Sequence, residues 1–122
     1  MIVPGKKIVE ICVAGDKHLE TECAKYYNKK VEGVKVEKGV AIPTCVSVNE
    51  QVSYNCPDME NKDVLEEGQA VKIDMGAHID GYIAHQAVTI VCQKEGSNDK
   101  ITGKQADVIK ACVVAQEVAG RV

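Results

Sequence analysis

The sequence predicts an α+β fold with an antiparallel, curved sheet and helices on one face, and three observations carry that prediction. Apolar residues recur at helical spacing near both ends of the chain. From Gly39 the pattern changes to β-branched residues that partly alternate. The segment "AVKIDMGAHIDGYIAHQAVTIVCQ", residues 70–93, reads as two strands meeting at Asp80-Gly81. Strands grouped in sequence and flanked by helices favour α+β over a parallel sheet.

Each element has its own signal. "VPGKKIVEICVAGDKHLETECAKYYNKK" places Ile8, Ile11, Cys12, Leu19, Cys23, Tyr26 and Tyr27 on a helical stripe. Gly15-Asp16 interrupts it, Gly suiting a C-terminal cap and Asp an N-cap, so two short helices or one kinked helix are expected. "GVAIPTCVSVNEQVSYN" predicts one or two strands around Pro43, and "CPDMENKDVLEEGQ" a polar loop. Asp80-Gly81 predicts a tight two-residue turn, because Gly tolerates positive φ. "EGSND" is a loop, and "ITGKQADVIKACVVAQEVAGRV" closes with an amphipathic helix, apolar at Ala106, Ile109, Cys112, Val113 and Val118.

Composition sets the class. At 122 residues the chain makes one small domain, and 45% hydrophobic with 27% charged residues excludes a disordered or fibrous protein. With no Trp, no Phe and four Tyr, the core must come from Val, Ile, Ala and Cys, and stacking on nucleobases is poorly provided for. A net charge of −3 gives no bulk attraction to a phosphate backbone. The basic cluster Lys29, Lys30, Lys35 and Lys38 is interleaved with Glu32 and Glu37 and reads as a solvated face. None of the six cysteines forms a C-x-x-C pair, and no signal peptide, membrane span or glycosylation sequon accompanies them, so free thiols in a reducing compartment are expected.

The hairpin brings chemistry together. With a two-residue turn at Asp80-Gly81, Asp74 falls opposite Ala87 and diagonal to His85, with His78 on the same face. A carboxylate and an imidazole so placed can hold a divalent ion, yet two protein ligands make a weak site. The alternative is an ordinary pair, with Asp74 accepting hydrogen bonds from the backbone or from Lys72 and His85 half-buried.

Four stretches, "GVAIPTCVSVNEQV", "VLEEGQAVKIDMGAHIDGYIA", "AVTIVC" and "ITGKQADVIKA", resemble the pita-bread superfamily. This superfamily contains the type 2 methionine aminopeptidases and their non-catalytic relatives, the proliferation-associated, growth-factor-receptor-binding proteins. "KIDMGAHIDG" resembles this branch specifically, and "GKQADVIKA" is more similar to the proliferation-associated proteins. The resemblance implies that residues 1–122 form a single half-domain, the N-terminal half of the aminopeptidase-like fold.

The peptidases hold two metal ions with two Asp, one His and two Glu. By resemblance, Asp74 matches the first Asp, His85 replaces the second, and Tyr54 falls on a former substrate-pocket His. The other ligands lie in the half of the fold that these residues do not match. The implied protein has no catalytic residue, metal or cofactor, with Asp74 and His85 as vestigial metal positions. It binds ribosomes, RNA or regulatory proteins in the cytoplasm and nucleus or nucleolus, away from membranes. Its uncovered half-fold is expected to pair with a second copy or with a partner chain. The alternative is a metal-dependent methionine aminopeptidase completed by a second chain.

Overall fold

The computed structural model describes residues 2–97 and 99–121; Met1, Asn98, in the expected 95–99 loop, and Val122 lie outside them. Five elements run in the order α1 (Ile8–Cys23), β1 (Lys38–Val48), β2 (Ala70–Ile79), β3 (Tyr82–Val91) and α2 (Gly103–Ala119). The strands form one antiparallel sheet in the order β1-β2-β3.

Helix α1 is continuous, which corrects the expected break at Gly15-Asp16. Gly15 is a contact, not a cap: a Cβ built there would lie 2.7 Å from Thr44 Cγ2 and 2.9 Å from Thr44 Cβ. The missing side chain lets α1 settle directly onto β1. Asp16 serves the same contact, its Oδ1 accepting the Thr44 backbone N–H at 2.7 Å.

Strand β1 is one strand that runs through Pro43. Its register against β2 slips twice, between Val40 and Ile42 and between Ile42 and Cys45. Proline has no N–H to give to a ladder, so it is accommodated at an edge strand or a bulge, and Pro43 has both. Beyond the second slip Cys45 pairs with Asp74, Val46 with Ile73 and Ser47 with Lys72. The β2–β3 hairpin has no slip, and Ile79 pairs with Tyr82 around Asp80 (φ 53°) and Gly81 (φ 80°). Positive φ at both central residues defines a type I′ turn, whose twist matches that of the strands.

Because the register is regular, the sheet's two faces are clear. Val46, Val71, Ile73 and Ile90 meet Ile8, Ile11 and Cys12 of α1, and Leu65 and Cys92 complete this core. The core is aliphatic with cysteine, as composition requires. Leu65, only 1% exposed, comes from the stretch expected to be a polar loop. Its backbone explains this: Gly5 N–H donates to Leu65 O at 2.7 Å, and Leu65 N–H to Lys6 O at 2.9 Å.

Helix α2 forms where expected but buries no residue. Val108, Ile109, Ala111 to Ala115 and Val118 spread apolar side chains around most of its circumference, rather than along one stripe. Its Gln105 Nε2–H donates to Gly68 O at 2.8 Å. Among the described residues no helix is long and apolar enough to cross a membrane.

Candidate functional site

The sheet face opposite the α1 core carries the residues singled out by sequence. Asp74 pairs with Ala87 and His85 with Gly76, the diagonal relation that the hairpin register predicts. Gly76 presents no side chain between them, and its own Cβ position is occupied from the other side, with Ile42 Cβ at 3.1 Å. His85 leans across so that Nε2 meets Asp74 Oδ1. The Asp74 side chain is 14% exposed and that of His85 37%.

This pair is self-contained. Lys72 does not serve Asp74, as the sequence left open; its Nζ donates to Asn49 O at 2.7 Å. His78 lies on the same face, paired with Ile83, and its Nδ1 is buried without a hydrogen-bond partner among the described residues. Tyr54 sits apart at positive φ (58°), largely exposed, and no hydrogen bond among the described residues joins it to Asp74 or His85. Along the same face, Lys72, Asp74, Ala87 and Thr89 line an open cleft with Ile109 and Cys112 of α2.

Sequence reasoning missed Cys45. It is buried, it pairs directly with Asp74, and burial, with Cys56 and Asp74 nearby, holds its thiol above the ordinary range. The only sequence signal was its period relative to Asp74, which the two slips around Pro43 obscure. On α1, burial pushes the Cys12 thiol up to about 11.

The donor set does not fit a two-ion centre. Such a centre needs carboxylates able to bridge and clamp two cations, whereas at this site the described residues place one carboxylate and one imidazole whose Nε2 is engaged by that carboxylate. Among the described residues no group of three His, Cys, Asp or Glu converges to hold a metal. What the pair can do is fix the imidazole's orientation and present its remaining nitrogen for hydrogen bonding.

Comparison with known proteins agrees with the motifs. The sequence model for metallopeptidase family M24 matches residues 3–121. The chain is 46% identical over 118 residues to "ERBB-3 binding protein 1" of Arabidopsis thaliana, covering 97% of this chain and 29% of that protein. It is likewise 46% identical over 119 residues to "Proliferation-associated protein A" of Dictyostelium discoideum, covering 98% of this chain and 30% of the other. The solved structure of a thermophilic Arx1 superposes with a TM-score of 0.87 at 37% identity, over 97% of this chain and 32% of that one. The chain thus spans about three-tenths of the length of the relatives it matches. The resemblance read from "KIDMGAHIDG" and "GKQADVIKA", the pita-bread topology and the match across nearly all residues agree, and the chain belongs to metallopeptidase family M24.

Proposed function

We propose that this chain is a non-catalytic, aminopeptidase-like binding module, a half-domain of the pita-bread fold that works through partners rather than through hydrolysis. The observation that carries this reading is the Asp74–His85 pair. Where the peptidase resemblance calls for a second carboxylate there is an imidazole, and the remaining carboxylate is occupied by it. A bridging hydroxide strong enough to cut an amide needs two clamped cations.

Helix α2 supports a role in binding. A helix apolar around most of its circumference is one that is normally buried, and here Val108, Val114 and Val118 are exposed. Such a surface is one that a second copy or a partner would cover. Among relatives, one is named for binding ERBB-3 and another for association with proliferation. Ribosomes, RNA and regulatory proteins, in the cytoplasm and the nucleus or nucleolus, are the partners this reading assigns.

Two measurements test it. Metal analysis together with hydrolysis of a methionyl peptide in added cobalt or manganese is expected to give no stoichiometric metal and no turnover. Tight metal with turnover would establish the aminopeptidase reading instead. Co-sedimentation with ribosomal subunits separates the kinds of partner: an RNA contact weakens steeply between about 50 and 200 mM salt, and a protein contact does not.

A further inference from the structure

The Asp74 face carries a second pair of reactive side chains, Cys45 and Cys56. After β1 the chain turns back at residues 49–51 and runs along the outer edge of that strand. Val46 N–H donates to Asn55 O at 2.8 Å, Asn55 Nδ2–H returns to Val46 O at 2.7 Å, and Asn55 N–H donates to Ser47 Oγ at 3.2 Å. Residue 55 is therefore opposite residue 46. The next residue on each segment brings Cys56 beside Cys45, and Cys56 is among the groups that hold the Cys45 thiol above its ordinary range. Cross-strand disulfides need this closeness. Cys45 is buried and Cys56 exposed, so one thiol is sheltered and the other meets solvent.

We propose that Cys45 and Cys56 form a reversible redox pair, closed by a low-molecular-weight disulfide such as oxidised glutathione. The exposed Cys56 thiolate attacks one sulfur of glutathione disulfide and expels one glutathione thiolate, leaving a mixed disulfide on Cys56. The Cys45 thiol, losing its proton, displaces the second glutathione and forms the Cys45–Cys56 bond. The two cysteines are oxidised and glutathione disulfide is reduced to two glutathione molecules. The bond ties the segment carrying Tyr54 to the strand position that pairs with Asp74. Oxidation thereby fixes the rim of the face that holds the Asp74–His85 pair.

The chain's lysines make the test direct. Trypsin cuts after Lys38 and Lys62 and nowhere between, and the fragment 39–62 contains Cys45 and Cys56 as its only cysteines. After incubation of the protein with oxidised glutathione and blocking with N-ethylmaleimide, this fragment is expected unlabelled and lighter by two hydrogen atoms than its reduced form. Dithiothreitol restores two labels. The internal Cys45–Cys56 bond is expected to be lost in Cys56→Ser, at an exposed position that leaves the fold intact, and in Cys45→Ala, where Cys56 keeps one glutathione, and to persist in Cys12→Ala. In parallel, chymotryptic cleavage after Tyr54 is expected to slow about tenfold on oxidation and to recover on reduction. A fragment carrying glutathione alone, protection that depends on Cys12, or cleavage unchanged by oxidation would overturn the proposal.

Discussion

Helices α1 and α2 are nearly equal in length, 16 and 17 residues, and differ in almost everything that follows from packing. Helix α1 buries Ile8, Val9, Ile11, Cys12, Gly15 and Cys23, whereas α2 buries none. The difference does not come from apolar content, which α2 has in abundance. It comes from what lies opposite: α1 has a sheet face shaped to receive it, with a glycine where the two approach most closely. Helix α2 has an open cleft. Since packing supplies most helical stability in proteins, the two helices are held unequally, α1 by the core and α2 by contacts such as Gln105 with Gly68 O.

Substitutions can break this contrast, beginning with the core. Leu65→Ala is expected to cost about 2–5 kcal/mol, measured by urea unfolding, because a fully buried leucine is removed from beneath α1. Gly15→Ala should follow at about 1–3 kcal/mol, since the added methyl group overlaps Thr44. Alkaline pH sharpens the comparison on the same side. The Cys12 thiol is raised from about 9 toward 11 in the fold, so the native state holds its proton more tightly than the unfolded chain does. That contribution is fully present below pH 9 and is lost as pH rises through 11, and Cys12→Ala should flatten the decline in melting temperature over this window. Asp74→Asn removes the carboxylate that meets His85 Nε2 and should change stability by about 0.2–1 kcal/mol in thermal melts. Smallest is Val114→Asp on α2, expected within about 0.5 kcal/mol for the chain alone. The same change should disrupt any complex seated on that helix, which light scattering or pull-down would detect.

The sequence made the regular parts of the molecule visible and hid the long-range ones. The Asp80-Gly81 turn was legible because few dipeptides sustain positive φ at both positions, and once it is placed the Asp74–Ala87 register follows by counting. Gly15 was misread because the absence of a Cβ serves equally for ending a helix and for close approach, and Thr44, its partner, is remote in sequence. The pairing of Cys45 with Asp74 was hidden by the two slips in β1, since each inserted residue shifts the facing of all that follows. Leu65 looked like part of a polar stretch because its environment, the Gly5–Lys6 backbone, comes from far earlier in the chain.

That junction between Gly5, Lys6 and Leu65 also bears on the order of assembly. Contacts between residues so distant in sequence form only after the entropy of closing a long loop has been met. During synthesis, the first helix therefore waits for its seat until the chain has been extended past residue 65 and the central strand has emerged. Its turns exist as transient helix at most until then, so a segment made before the sheet becomes fixed only after it.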